Sequence, residues 1–208
     1  MTGGVVVVHE AFGVTEHIRD VVRRFEAEGY AATAADLYDG RVFAQDTPFD
    51  EIRPVMGSLT GDAILRGVDA AVERLGVPQP RVAVVGFCMG GTVALYSGAM
   101  RALGAAVSFY GGGVTESRWA GVGPLVEVAP GLRSPWLGLY GTRDAGIPVE
   151  HVDALEAAAR LAPVPARVER YDAGHAFFND TREGSFDAAA SAAAWPLVLS
   201  WLRQNLPE

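Results

Sequence analysis

The sequence predicts an α/β protein, a mainly parallel six-stranded sheet held between helices in a three-layer αβα arrangement. Three observations carry that prediction. Short β-branched runs such as residues 5–8 (VVVV) and 82–85 (VAVV) show no polar alternation. Apolar stripes of helical period lie between these runs, and glycine-rich turns close several of them. Strands alternating with helices imply a parallel sheet with right-handed crossovers.

The elements follow in order. Residues 5–8 have the pattern of a strand covered on both faces. Thr15 is placed to cap the next helix, in which Ile18, Val21, Val22 and Phe25 fall at i, i+3, i+4 and i+7, and Gly29 ends it. Residues 30–35 form a second strand on weaker grounds, because alanine has little strand preference. Residues 36–59 carry turn residues and no clean period, an excursion with room for one short helix. Ile64, Val68, Ala71, Val72 and Leu75 mark another helix. Residues 82–85 are the third strand and 89–99 the helix after it. Residues 105–110 are the fourth strand, closing on Gly111-Gly112-Gly113, and 136–140 the fifth, with a helix over 149–161. Residues 168–171 are the sixth strand and 187–205 the last helix, which Pro196 is expected to kink or to start. No repeat, low-complexity segment or linker interrupts the chain, so residues 1–208 read as a single domain.

Composition excludes several functions. The net charge of -8 carries no basic run, which argues against nucleic acid and anionic membrane surfaces as partners. One cysteine makes no internal disulfide and fits a reducing cytoplasm. The first ten residues, MTGGVVVVHE, lack the basic and apolar regions of a signal peptide. No uninterrupted apolar window reaches the ~18 residues of a membrane span. No cluster of histidines and cysteines suggests a metal, and no cofactor is implied.

In such sheets ligands bind beyond the carboxyl ends of the strands. There the sequence places His9-Glu10-Ala11, Asp36, Cys88, Gly111, Asp144 and His175. Gly86-Phe87-Cys88-Met89-Gly90 is a nucleophile-elbow pattern with cysteine in place of serine. The turn strains the nucleophile's backbone and leaves room only for glycine two positions to either side. It lifts the sulfur into the cleft and aims the N–H of Met89 at a developing oxyanion. The alternative is a cysteine packed as a small hydrophobe. Asp144 follows the fifth strand, where it is also placed to cap a helix, and His175 follows the sixth, where a surface histidine is the alternative. Nucleophile, acid and histidine come in the order of a triad in which histidine takes the nucleophile's proton and the carboxylate orients the histidine. His17 and His151, in or near helices, are expected to be solvated, and His9 to be a minor pocket residue.

Here the chain resembles the dienelactone hydrolases, or carboxymethylenebutenolidases, a cysteine branch of the α/β-hydrolase fold. The matching stretches are VVVVHEAFGVTEHIRDVVRRFEAEGYAATAADLYDG, VAVVGFCMGG, YGTRD and GHAFFND. The resemblance implies a lactone or ester hydrolase that forms a cysteinyl acyl-enzyme, with Cys88, Asp144 and His175 as triad. It implies that Glu10, otherwise a loop acid, helps deprotonate the thiol. The N–H groups of Ala11 and Met89 are then the oxyanion donors. A carboxylate beside the thiol disfavours the thiolate and protects the resting sulfur from oxidation.

Two departures from the family shape the expectations. Only four residues precede Val5 where relatives carry two further strands, so a trimmed sheet of order 2-1-3-4-5-6 is expected. That order leaves strand 2 at an edge, short, covered by the 36–59 excursion, or paired in a dimer. The family's substrate-holding arginine shortly after the catalytic histidine is replaced by Phe177, Phe178 and Asn179, with Arg182 the nearest arginine there and Arg53 a second candidate cation. Neutral lactones or esters should then be processed at least as well as anionic ones. Phe12, Tyr38, Phe87, Tyr110, Phe177 and Phe178 lie near strand ends, as pocket lining or as core. The partner expected is a small-molecule lactone or ester, and the assembly a monomer or homodimer. Two other functions fit the scaffold: a ligand-binding or signalling protein with little turnover, which an intact triad disfavours, and a thiol redox protein, which the lack of a second cysteine disfavours.

Overall fold

The computed structural model describes residues 3–207, so Met1, Thr2 and Glu208 lie outside the described residues. Six strands form one parallel sheet of order β2-β1-β3-β4-β5-β6. The strands are β1 (Gly4–Val8), β2 (Ala31–Ala35), β3 (Val82–Phe87), β4 (Ala105–Phe109), β5 (Trp136–Gly141) and β6 (Ala166–Tyr171). The helices are α1 (Glu16–Ala27), α2 (Phe49–Gly57), α3 (Gly61–Leu75), α4 (Met89–Met100), α5 (Leu125–Val128), α6 (Val149–Ala159) and α7 (Ala188–Asn205).

The apolar runs are buried from both sides, as their lack of alternation predicts. Val5 and Val7 pack with Ile18, Val21 and Phe25 of α1, whereas Val6 and Val8 pack with Ile64, Val68 and Ala71 of α3. Strand β3 divides in the same way, Val82 and Val84 to one cluster, Ala83, Val85 and Phe87 to the other. Helix α4 is buried along all but its last residue, which is why it is apolar all round. The strand order reverses between β1 and β3, and the cleft expected there lies at their carboxyl ends.

Several local expectations change. Thr15 occupies the first cap position, but its hydroxyl makes no capping bond. Helix α7 runs through Pro196, which therefore does not start it. Burial of Val198, Leu199, Trp201 and Leu202 on the sheet holds the second half of α7 despite the donor that proline lacks. His17 is buried rather than solvated. It lies on the inner face of α1 edge-on to Phe87, with Nδ1 3.3 Å from Oδ1 of Asp180. The short helix of the excursion is α2, whose Ile52 packs against Ala11 and Phe12. The β2 edge is five residues long, and Arg74 donates from Nη2 to the carbonyl of Ala34 at 3.0 Å. Among the described residues no helix is long and apolar enough to cross a membrane.

Candidate active site

The turn after β3 has the geometry the glycine frame predicts. Cys88 takes φ +54°, a left-handed backbone that a non-glycine residue holds only under strain. A Cβ on Gly86 would lie 1.8 Å from the carbonyl oxygen of Gly90, so no larger residue fits there. The turn is braced from β4. The N–H of Cys88 donates to the carbonyl of Phe109 at 3.0 Å, and the Ser108 hydroxyl donates to that of Gly91 at 2.7 Å. Trp136, buried at the start of β5, donates from its indole to the same Ser108 hydroxyl at 2.9 Å. Two neighbouring residues are also at positive φ, Tyr110 at +40° and Ala176 at +61°.

The loops after β5 and β6 meet this turn. Nε2 of His175 lies 3.2 Å from the Cys88 sulfur, and Nδ1 lies 2.6 Å from Oδ2 of Asp144. Asp144 is buried, and its Oδ1 accepts from the N–H of Gly146 at 2.8 Å. Glu10 is buried too. Its Oε2 accepts from Nδ2 of Asn179 at 2.7 Å, and its Oε1 accepts no hydrogen bond from the described residues. The backbone N–H groups of Ala11 and Met89 donate no hydrogen bond to the described residues, so both are available. Burial by itself lowers the pKa of His175. The bonds to Asp144 and Cys88 outweigh it and raise the pKa to about 10.

That balance has a testable sign. A histidine whose folded pKa is raised stabilises the fold fully below its unfolded pKa of ~6.5. The contribution is lost as the pH rises through about 10. In Asp144→Asn the titration of His175, followed by the NMR signal of the ring Cε1–H, should fall toward ~6.5. A midpoint equal to that of the wild type would show that the carboxylate does not hold the proton.

Cys88, His175, Asp144, Glu10 and Ala11 open on one cavity of about 400 Å³, walled also by Phe12, Phe49 and Ile147. Of the six aromatic residues near strand ends only Phe12 lines it. Phe87, Tyr110, Phe177 and Phe178 belong to a buried aromatic cluster around Phe109, with Phe87 stacked on Phe109 at 4.6 Å. Tyr38 is buried edge-on to His9. Strand alternation explains this outcome, since side chains near a strand end point into the layers above and below as readily as over the tip. His9 is fully buried and does not line the cavity. His151 lines an adjoining depression that shares Gly112, Arg118, Gly146 and Ile147 with the first.

Two cations line the cavity, Arg182 and Arg118. Arg182 reaches it from beyond the FFN stretch, its guanidinium over the Phe12 ring at 5.5 Å. The sequence does not mark Arg118 as a site residue. It sits in the irregular segment after β4, where no periodicity marks it. Trp119 next to it donates from its indole to the carbonyl of Met56 at 2.8 Å, and the Arg118 guanidinium lies against the bare Cα of Gly112. Neither arginine pairs with a carboxylate among the described residues. Arg53 instead pairs with Asp50 on the exposed side of α2.

A parallel sheet of this order with a cysteine on a strained strand-to-helix turn is the framework of the α/β-hydrolases. The model of the dienelactone hydrolase family matches residues 2–206, and the chain belongs to that family. A protein of Salmonella typhimurium named as a carboxymethylenebutenolidase is 38% identical over 211 residues, 96% of this chain and 76% of its own. One of Methylorubrum extorquens, of the same name, is 36% identical over 208 residues, 96% of this chain and 71% of its own. Among solved structures, a dienelactone hydrolase of Klebsiella pneumoniae superposes with a TM-score of 0.84 at 36% identity, over 98% of this chain and 87% of that one. A dienelactone hydrolase-like promiscuous phosphotriesterase from metagenomic libraries superposes with a TM-score of 0.80 at 27% identity, over 99% and 87%. The chain is accordingly a carboxylic ester hydrolase.

Proposed function

We propose that the protein hydrolyses small lactones and activated esters through a thioester on Cys88, and that it favours substrates carrying an anionic group. The observation that carries the reading is the unbroken line from the Cys88 sulfur through His175 to Asp144, opening on a cavity with two unpaired arginines. Nε2 of His175 takes the thiol proton as the sulfur attacks the carbonyl carbon, and the oxyanion receives the N–H groups of Ala11 and Met89. As the carbonyl reforms, the C–O bond breaks and His175 gives its Nε2 proton to the leaving oxygen. His175 then takes a proton from water, which attacks the thioester and releases the carboxylic acid and the thiol. Asp144 keeps the imidazole in the orientation both steps need. Glu10, bonded to Asn179 at 2.7 Å, lines the same cavity and is the group placed to disfavour a free thiolate before substrate enters. The chain works as one catalytic domain over residues 1–208, in the cytoplasm, as a monomer or homodimer.

The test compares a carboxylate-bearing lactone or aryl ester with its neutral methyl ester of the same skeleton. Charge-assisted hydrogen bonds contribute ~1.5–3 kcal/mol, so kcat/KM should favour the anion by roughly 10- to 100-fold. Arg118→Ala and Arg182→Ala should each erode that preference with little effect on the neutral substrate. Mass spectrometry after a quench should show the acyl group on Cys88. Equal rates for both substrates would remove the anion preference, and an acyl group on any other residue would remove the thioester.

A further inference from the structure

The fully buried His9 has a neighbour on each ring nitrogen. Nδ1 lies 2.6 Å from the carbonyl oxygen of Glu10, and Nε2 lies 3.2 Å from the backbone nitrogen of Leu37. A backbone N–H only donates and a carbonyl only accepts, so the two partners fix the tautomer. Nε2 is the acceptor, and Nδ1 carries the hydrogen. The ring thereby ties the carboxyl end of β1 to that of the neighbouring strand β2. Protonation would set a second N–H against that of Leu37, and burial, the largest influence, lowers the pKa of the ring.

The Glu10 carbonyl belongs to the same peptide unit as the N–H of Ala11. A trans peptide is planar and its C=O and N–H point in opposite directions, so fixing one fixes the other. That oxygen also accepts from the N–H of Gly13 at 3.3 Å. A hydrogen bond to the carbonyl further polarises the unit and makes its N–H a better donor. On its other side the His9 ring meets Tyr38 edge-on at 4.7 Å between centroids, and the Tyr38 hydroxyl donates to the sulfur of Met89 at 3.2 Å. One ring thus braces the Glu10–Ala11 peptide directly and Met89 through a single intermediary.

We infer that His9 is a positioning residue of the oxyanion hole, a neutral Nδ1–H imidazole that holds the Ala11 N–H on the developing oxyanion. The inference rests on the reading that Ala11 and Met89 supply that hole. His9→Phe keeps a ring against Tyr38 but removes both hydrogen bonds. His9→Gln offers one donor and one acceptor and should restore them. Outright loss of an oxyanion donor lowers kcat by ~10²–10³-fold. Misaiming one in His9→Phe should lower it by roughly 10- to 100-fold at nearly constant KM, with most of the loss recovered in His9→Gln. Reversible addition of an aryl trifluoromethyl ketone to Cys88 creates an oxyanion and should weaken by a similar factor. Alkylation of Cys88 by iodoacetamide creates none, and its rate should stay within about twofold.

Turnover and ketone binding unchanged in His9→Phe would overturn the inference, as would alkylation slowing in step with turnover, which marks general disruption. If His9→Phe does not fold, a failure of His9→Gln to sustain kcat has the same force. So does an Nε2–H tautomer in the ring ¹⁵N spectrum of the wild type. A wild-type protein that forms no ketone adduct at Cys88 would instead remove the thioester reading, and the inference with it.

Discussion

Cys88→Ala is expected to lose nearly all turnover, by roughly 10⁴- to 10⁶-fold, with the fold retained. The sulfur is the only atom removed. Cys88 is half-buried, and alanine bears the positive φ of the turn about as well as cysteine does. His175→Ala should cost a comparable factor. Asp144→Asn should cost up to ~10⁴, because an amide no longer dictates which imidazole nitrogen carries the proton. The three losses should not add, since each substitution disables the same proton path. Steady-state rates of the single and double variants on one activated ester are the measurement. Wild-type activity in His175→Ala would end the mechanism whatever the other variants did.

Much of this site can be read without coordinates, and the reasons are local. The elbow needs glycine two residues to either side of the nucleophile, because a Cβ at Gly86 would meet the carbonyl of Gly90 at 1.8 Å. That steric demand is written into five consecutive residues. The fold is equally readable because a strand covered on both faces leaves an unbroken β-branched run, and the strand order is what the resemblance to the dienelactone hydrolases implies once their two leading strands are left off. What could not be read depends on contacts distant in sequence. His17 is buried because Asp180, 163 residues away, comes to its ring. Arg118 reaches the cavity because Trp119 is anchored on Met56, 63 residues away. The aromatics near strand ends, open in sequence to pocket or core, are decided by side-chain direction. Phe87 and Tyr110 flank the site in sequence, yet their rings point into the layer between sheet and helices and join the core around Phe109. No arginine stands just after His175, as the sequence shows, but the cavity still receives two cations, because the loop delivers Arg182 three residues after Asn179 and a separate segment delivers Arg118.

Gly90→Ala should damage both fold and function, because at this point the two cannot be separated. Gly90 lies in the first turn of α4, and a Cβ there would stand 2.3 Å from the carbonyl oxygen of Val8 and 2.7 Å from that of His9. Both are backbone atoms at the end of β1, which is hydrogen-bonded on either side to β2 and β3 and has no flexible side chain to move away. Either α4 must retreat or the β1 turn must shift. Overpacking of this kind costs ~1–3 kcal/mol, and rigid atoms on both sides put the upper end in view. The displacement also separates the Met89 N–H on α4 from the Ala11 N–H on the β1 turn. A misplacement of ~1 Å is enough to cost ~10²-fold in rate. Gly57→Ala is the control. It lies at the end of α2 with nothing within 4 Å of an added Cβ. There alanine should be neutral or stabilise by up to ~1 kcal/mol through its helix preference. Denaturant midpoints and kcat of the two variants decide the matter. If Gly90→Ala matched Gly57→Ala in both, the close approach of α4 to β1 would not be what holds the two oxyanion donors together.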